Sequence, residues 1–255
     1  AGLFVLSLSY CICRYWLVFG TPAEGPLRTG VVVWNVVLFS VFALHHSVFA
    51  RERARHAITR ALGPLERSFY VWLASLLFIA VCKLWLPLPG TIWDVGGVAR
   101  VALLLLQIVG ITFSVYSAAA IDVWDLAGVR QINAQLPTTN FQPLPTTDSQ
   151  KEFHFKTTGP YGLVRHPIYL GWILIVFAVG TMTMTRFVFA IVSCAYLLLA
   201  IPLEERSLRA ASGGAYDRYM QQVRRKLIPG VYCGLGRWAL CFGLWALGFG
   251  LWALD

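Results

Sequence analysis

The chain is a series of long apolar runs separated by polar connections. Seven such runs occur, near residues 3–19, 31–50, 68–86, 101–118, 168–185, 187–203 and 237–254. Most of them approach the roughly 20 residues that an α-helix needs to cross the hydrocarbon core of a bilayer. The pattern therefore predicts an all-α, polytopic membrane bundle of six or seven spans.

The composition supports a membrane protein and argues against a soluble enzyme. Of the 255 residues, 58% are hydrophobic and 13% are charged, about half the charged fraction of a typical soluble domain. The six cysteines lack the Cys-x-x-Cys or Cys–His spacing of a zinc site, and most lie inside apolar runs, where Cys behaves as a small apolar residue. We therefore expect no metal site and no disulfide framework.

Basic residues are concentrated on one side of the predicted bundle. With the N-terminus placed inside, 16 of the 21 Lys and Arg residues lie in three inside connections, 51–67, 118–167 and 203–237. The opposite connections hold only Arg28, Arg100 and Arg186. This bias orients a membrane protein with its basic loops in the cytoplasm. The net charge of +9 thus indicates contact with anionic lipid headgroups rather than with nucleic acid.

The densest polar motif stands at the start of the fifth run. Residues 159–171 read Gly-Pro-Tyr-Gly-Leu-Val-Arg-His-Pro-Ile-Tyr-Leu-Gly, with Arg165 and His166 directly before Pro167. Proline disfavours helix at the preceding residue and suits the first turn of a helix, so His166 is predicted at a helix entrance. We expect this ring and the Arg165 guanidinium to hold a carboxylate or a polar cofactor edge. Anchoring at the membrane interface is the alternative.

Two adjacent carboxylates, Glu204 and Glu205, follow the sixth run, at the same end of a helical hairpin predicted for residues 168–203. Like charges side by side repel each other, so the pair requires a cationic or hydroxyl-rich partner. Exposed ion pairs with Arg206 or Arg209 are the alternative. Because both motifs lie at one end of one hairpin, we predict that they form a single site.

The C-terminal quarter has two further patterns. Residues 204–226 are predicted as an amphipathic cytoplasmic helix or helix pair, broken at Gly213-Gly214, that lies on lipid headgroups or covers a cofactor. The last run then repeats a seven-residue unit, at Gly236, Gly243 and Gly250 and at Trp238, Trp245 and Trp252. Such a stripe favours close helix packing, either within the chain or in a homo-oligomer.

Several of these motifs occur in the same order in a known family of enzymes. The chain resembles the isoprenylcysteine carboxyl methyltransferase superfamily at Gly159-Pro160-Tyr161, Arg165-His166-Pro167-Ile168-Tyr169-Leu170-Gly171, Glu204-Glu205, Tyr216-Asp217-Arg218-Tyr219 and Ile228-Pro229. Members of this superfamily are integral membrane methyltransferases that use S-adenosylmethionine. The resemblance implies a cofactor site lined by Arg165, His166, Tyr169, Glu204 and Glu205, with Tyr161 and Leu170 beside it.

A finer resemblance links the chain to the methanethiol S-methyltransferase branch, which converts methanethiol to dimethyl sulfide. It is carried by residues 44–51, 66–71, 125–131, 180–184 and 200–206. Gly162 departs from the pattern, because relatives often have a basic residue there. The Trp/Gly tail lies outside the pattern.

The residues expected to bind the methyl acceptor and take its proton lie farther apart in the sequence than the predicted cofactor residues. His45 and His46 are adjacent near the cytoplasmic end of the second run, where an ionisable residue is a functional candidate. Neighbouring residues of a helix point in different directions, so we expect at most one to face the acceptor; interfacial placement is the alternative. We assign His46, with His166 as the alternative, as the group that takes the thiol proton. Arg130 is expected to steady the anionic nucleophile and Gln131 to position it; a structural role is the alternative.

These predictions combine into one interpretation. Residues 1–118 form the transmembrane scaffold and acceptor chamber. Residues 119–230 form a cytoplasmic loop, the cofactor-binding hairpin and its covering segment, and residues 231–255 form a Trp/Gly-repeat membrane helix. We expect a methyltransferase of the bacterial inner membrane that transfers a methyl group in line from S-adenosylmethionine to a small lipophilic thiol. The alternatives are another lipophilic acceptor (a prenylcysteine carboxylate, a longer thiol or a lipid amine) or a haem- or metal-binding membrane protein.

Overall fold

The computed structural model of the protein describes residues 2–49, 60, 63–121 and 155–227. Most of these residues are helical. In chain order the elements are α1 (Gly2–Leu17), α2 (Thr29–Phe49), a 3₁₀ turn (Gly63–Leu65), α3 (Glu66–Leu84), β1 (Thr91–Asp94), α4 (Gly97–Ala120), α5 (Pro160–Leu163), α6 (Pro167–Phe177), β2 (Thr181–Thr183), α7 (Met184–Ala211) and α8 (Ala215–Gln222).

The helices coincide with the apolar runs of the sequence. By length and composition, α2, α4 and α7 are able to cross a membrane, and α1, α3 and α6 are apolar but shorter. Large apolar side chains remain exposed along the long helices, as expected of surfaces that face lipid. The chain is therefore a helical membrane protein. The number of spans, six or seven, remains a prediction, and the last apolar run lies outside the described residues.

The connections that follow α1, α3 and α6 meet at one end of the bundle. β1 and β2 form an antiparallel pair there, and the N–H of Met184 donates to the carbonyl of Gly90 at 2.9 Å. The hydroxyl of Thr183 caps α7 by accepting from the N–H of Arg186 and donates to the carbonyl of Phe19. The opposite ends of the helices therefore lie together at the other end of the bundle.

This two-stranded sheet is a departure from the all-α prediction, which placed only a turn near residues 181–186. Three-residue and four-residue strands are too short to produce a clear alternation of apolar and polar positions. The extended conformation of Thr183, with φ −71° and ψ 158°, also allows it to be the N-cap residue of α7. An N-cap residue typically has β-region dihedral angles.

A buried arginine connects the sheet to α1. The Arg186 guanidinium donates to the carbonyls of Tyr15 at 3.0 Å, Trp16 at 3.1 Å and Thr181 at 2.6 Å, and it lies 5.2 Å from the centroid of the Tyr15 ring. The last carbonyls of a helix have no donor within the helix and carry partial negative charge. Arg186 therefore donates hydrogen bonds to the C-terminal carbonyls of α1. These hydrogen bonds stabilise the guanidinium among apolar groups.

Helices α4 and α6 approach each other closely through two glycines. A Cβ atom at Gly110 would lie 2.9 Å from the carbonyl oxygen of Gly171, and one at Gly171 would lie 2.1 Å from Ser114 Oγ and 2.7 Å from the carbonyl oxygen of Gly110. The side chain of Gln107 adds a polar connection, since its Nε2 donates to the carbonyl of Ile175 at 2.6 Å. Small residues that let helix backbones meet are typical of membrane bundles, and this contact positions the start of α6.

We expect Gly171→Ala to destabilise the protein because the added methyl group must displace main-chain atoms of α4. Overpacking of this kind costs about 1–3 kcal/mol, so the midpoint of thermal unfolding in detergent should fall. Gly30→Ala is the matched control, because no described heavy atom lies within 4 Å of a Cβ there. Equal unfolding midpoints for the two variants would contradict the close contact.

Candidate functional site

The site begins where Arg165 and His166 pair with the C-terminal part of the described chain. The N–H of Arg165 donates to the carbonyl of Arg225 at 2.9 Å, and the N–H of His166 donates to the carbonyl of Lys226 at 3.0 Å. His166 is the N-cap residue of α6 and Pro167 is in its first turn, the arrangement that the His-Pro sequence predicts. The main-chain pairing directs the side chains of Arg165 and His166 towards the end of α7.

Glu205 is the centre of a buried ionic cluster. Its carboxylate accepts from Arg165 Nε at 2.8 Å, and its other oxygen lies 3.3 Å from Lys226 Nζ. The ring Nε2 of His166 is 3.3 Å from the first oxygen. All four side chains are buried. A carboxylate of this kind is stable in the interior because cationic donors surround it.

Arg165 also holds the segment that returns over the site. Its Nη1 donates to the carbonyls of Val223 at 2.9 Å and Arg224 at 3.0 Å. One guanidinium thus joins the entrance of α6, the end of α7 and residues 223–226. These contacts use Nε and Nη1 of Arg165 within the protein, so the expectation that it holds a cofactor carboxylate remains a prediction.

Glu204 has a different environment from its neighbour. Its side chain is 45% exposed, its carboxylate accepts from the Tyr169 hydroxyl at 2.9 Å, and His166 Nδ1 lies 3.6 Å away. The rings of His166 and Tyr169 stack, with centroids 5.4 Å apart and an interplanar angle of 11°. A carboxylate has about four lone-pair sites, so Glu204 retains acceptors that face outward beside two ring faces.

Tyr161 and Leu170 border this cluster. The carbonyl of Tyr161 accepts from the Tyr219 hydroxyl at 2.8 Å, and Leu170 packs against Ile201 and Leu227. Burial raises the pKa of Tyr219 to about 12, although Arg165 opposes the shift. Burial also raises the pKa of Tyr161, with Tyr219 and Glu204 contributing, so both phenols stay neutral at physiological pH.

A second polar group lies where α2, α3 and α7 meet. The Tyr70 hydroxyl is 2.7 Å from Nδ1 of His46. The centroid of the Tyr70 ring lies 5.9 Å from that of the His45 ring and 5.6 Å from that of the His46 ring. Tyr196 approaches His46 edge-on at 6.4 Å, and its hydroxyl is 3.2 Å from Ser47 Oγ. His46 is therefore enclosed by aromatic rings and joined to one phenol.

The two polar groups are neighbours. Tyr196 of the second group and Glu204 of the first both belong to α7, eight residues or about 12 Å apart along its axis, and Glu204 accepts from Tyr169. The structure thus brings the predicted acceptor residue His46 and the predicted cofactor residues to the same end of the bundle. Arg130 and Gln131 lie outside the described residues. Within the described part of the chain, no group of three or more His, Cys, Asp and Glu side chains is able to hold a metal ion.

Methanethiol S-methyltransferases from several bacteria align with this chain over most of its length. A methanethiol S-methyltransferase from Crocosphaera subtropica is 37% identical over 205 residues, which cover 80% of this chain and 76% of that protein. One from Mycobacterium tuberculosis is 38% identical over 200 residues, 78% of each chain. The chain belongs to the methanethiol S-methyltransferase family. Nurim from Bos taurus is 24% identical over 185 residues, 70% of this chain and 68% of that protein.

Membership of the methanethiol S-methyltransferase family confirms the finer of the two resemblances found in the sequence. No model of a protein family matches the chain, and no solved structure does. The chain is thus a helical membrane protein of a methyltransferase family.

Sequence reasoning assigned no role to Lys226, Tyr70 and Tyr196, which the structure brings to the site. The signal for Tyr70 was its position in residues 66–71, one of the segments that carry the resemblance. Lys226 lies in the segment expected to cover the cofactor, but one lysine among many basic residues has no pattern of its own. Tyr196 is an aromatic residue in an apolar run, where the usual expectation is core packing.

We expect Glu205→Gln to destabilise the protein strongly. The change leaves buried Arg165 and Lys226 without a carboxylate, and removing one partner of a buried pair costs about 3–5 kcal/mol. Asp217→Asn is the control, because the Arg209–Asp217 pair is about half-exposed on both sides and such a pair contributes about 0–1 kcal/mol. Thermal unfolding in detergent compares the two; a smaller loss for Glu205→Gln would overturn the structural role of the cluster.

Proposed function

We propose that the protein is an S-adenosylmethionine-dependent methyltransferase that methylates methanethiol, or a similarly small thiol, to a thioether. The observation that carries the proposal is the half-exposed Glu204 carboxylate. It stands beside the stacked rings of Tyr169 and His166 and on the same end of the bundle as the His46 cluster. Family membership supports the reaction type and the thiol.

The chemistry of these side chains fits the methyl donor. When bound, S-adenosylmethionine supplies a methyl group that a positively charged sulfur has already activated. Glu204 has lone pairs to accept from an ammonium group or from ribose hydroxyls, and the ring faces of Tyr169 and His166 suit a nearby cation. Glu205 is already neutralised by Arg165 and Lys226, so its proposed part in the cofactor site is to fix His166 and Arg165 beside Glu204.

The remaining predicted residues complete the proposed cofactor site. Tyr161 stays a neutral phenol that is able to donate a hydrogen bond, and Leu170 adds an apolar wall next to Tyr169. The cluster around Arg165 holds residues 223–226 against the entrance of α6. In the proposed function this segment keeps water from the reacting groups, which strengthens the electrostatic interactions inside.

The acceptor half of the proposal relies on His46, Arg130 and Gln131. A small uncharged thiol partitions into lipid and reaches a chamber between helices without crossing water. His46 takes the thiol proton, Arg130 favours the resulting thiolate and Gln131 positions it. Alignment of the reacting atoms alone lowers such a barrier by roughly 7–11 kcal/mol at best.

We also propose that this end of the bundle faces the cytoplasm of a bacterial inner membrane. The three connections assigned to the inside hold 16 of the 21 Lys and Arg residues, and the cytoplasm is where S-adenosylmethionine is made. In this proposal residues 1–118 provide the scaffold and acceptor chamber and residues 119–230 the cofactor site. The Trp/Gly repeat of residues 231–255 packs within the chain or between copies.

The direct test is methyl transfer by the purified protein in detergent, with labelled S-adenosylmethionine and methanethiol and with headspace detection of dimethyl sulfide. Glu204→Gln should weaken cofactor binding about 10–100-fold in calorimetry, because a hydrogen bond to a charged group contributes about 1.5–3 kcal/mol. Glu24→Gln is the control, since Glu24 follows α1 at the opposite end of the bundle. A wild-type protein that binds no S-adenosylmethionine would refute the proposal.

A further inference from the structure

The covering segment, residues 223–226, is held against the entrance of α6 through its backbone. The carbonyls of all four residues accept hydrogen bonds from Arg165 or His166, at 2.9 to 3.0 Å. The first and last side chains of the segment are buried, and Lys226 Nζ lies 3.3 Å from the Glu205 carboxylate. The two central side chains therefore take no part in holding the segment to the bundle.

These central side chains, Arg224 and Arg225, are both exposed. Within the described residues, no carboxylate pairs with either of them. On α7 and α8, the acids that are not buried, Glu204 and Asp217, already have partners, a tyrosine hydroxyl and an arginine respectively. Two exposed positive charges on one short segment favour an anionic partner.

The contacts of the covering segment place its arginines at the depth of lipid headgroups. The exposed apolar surface of α7 continues to Leu203, which is 51% exposed, and Arg206 is the first exposed basic residue beyond it. The hydrocarbon core of a bilayer is bordered by polar headgroup regions, so this transition marks the interface. Glu205 lies at the transition and accepts from Arg165, whose N–H donates to the carbonyl of Arg225.

We propose that Arg224 and Arg225 bind the headgroups of anionic phospholipids, and that this contact holds the covering segment closed against the proposed cofactor site. A guanidinium presents a planar fork of N–H donors that matches a phosphate group. The effect on the cofactor rests on the proposed function, whereas the contact with lipid does not. The general bias of basic residues orients the protein, and this contact additionally couples lipid charge to the position of one segment.

Anionic lipid stabilises the closed segment because the arginines leave the headgroups when the segment opens. A ligand shifts an equilibrium only by its difference in affinity for the two states, and the attraction of an anionic surface falls off within a screening length of about 10 Å at 0.1 M salt. Each Lys or Arg near such a surface contributes about a fivefold change in equilibrium. Two arginines therefore correspond to roughly 30-fold at most.

The first test needs no S-adenosylmethionine. The full chain is placed in nanodiscs of phosphatidylcholine alone or of equal parts phosphatidylcholine and phosphatidylglycerol. The N–H groups of Arg165 and His166 report the segment, because they donate to the carbonyls of residues 225 and 226 and exchange hydrogen when it opens. We expect about 3–30-fold slower exchange with phosphatidylglycerol, and no difference at about 1 M salt, where the screening length is about 3 Å. Equal exchange in the two lipids would overturn the inference.

Charge variants identify the side chains that sense the lipid. The double variant Arg224→Gln/Arg225→Gln should abolish the difference between the two lipids, whereas Arg224→Lys/Arg225→Lys should keep most of it because the charge remains. The matched control is Arg28→Gln/Lys83→Gln, which removes two exposed positive charges at the opposite end of the bundle and should behave as the wild type. A lipid difference that survives in Arg224→Gln/Arg225→Gln would contradict the assignment.

The second test measures the affinity for S-adenosylmethionine by calorimetry in the same nanodiscs. We expect the wild type to bind about 3–30-fold more tightly with phosphatidylglycerol, and Arg224→Gln/Arg225→Gln to bind equally in both lipids. If that variant loses affinity by the same factor in both lipids, the arginines act on the cofactor directly and the inference fails. A wild type that binds no S-adenosylmethionine in either lipid would overturn the proposed function, while slower exchange in the first test would still support the lipid contact.

Discussion

The burial of one carboxylate, Glu205, determines how the polar end of this protein is assembled. A buried ion must be paired and hydrogen-bonded, and its partners come from the entrance of α6 and from residue Lys226. Residues 223–226 reach that position because the chain reverses between α7 and α8 at Gly213 and Gly214, which have φ +53° and +86°. Glycine adopts such angles without strain. The ionic cluster and this reversal therefore depend on each other.

The same constraint separates two acids that are chemically identical and adjacent in sequence. Successive residues of an α-helix point about 100° apart, so the end of α7 turns Glu205 into the cluster and Glu204 towards the exposed side. Arg165 and Lys226 neutralise the Glu205 carboxylate, whereas the half-exposed Glu204 carboxylate retains unused lone pairs. This difference is the reason that Glu204, with Tyr169 and His166, is the centre of the proposed cofactor site.

The helices and the His-Pro entrance could be predicted from the sequence because apolar length and proline act locally. The predicted hairpin placed Arg165 and the two acids at one end, but the choice of Glu205, 40 residues away, over Glu204 could not be derived, because either acid would satisfy a guanidinium. Tyr70 and Tyr196 are aromatic residues in apolar segments, and only tertiary packing brings their hydroxyls to His46 and Ser47. The identities of the cofactor and of the thiol acceptor were predicted from the family resemblance and not from the spacing of residues in the sequence.

The two ends of the bundle differ in the kind of contact that connects the helices. At one end, main-chain pairing of β1 with β2 and the contacts of Arg186 with three carbonyls join the helices through the backbone. At the other end, main-chain pairing joins the entrance of α6 to residues 225 and 226, and side chains make the connections between the helices themselves. Methyl transfer requires reacting atoms to be held in line, and polar side chains alone are poorly suited to fix whole helices. The backbone contacts at the far end and the close approach of Gly110 to Gly171 fix the helices, so the polar side chains of the proposed site do not have to hold the bundle together by themselves.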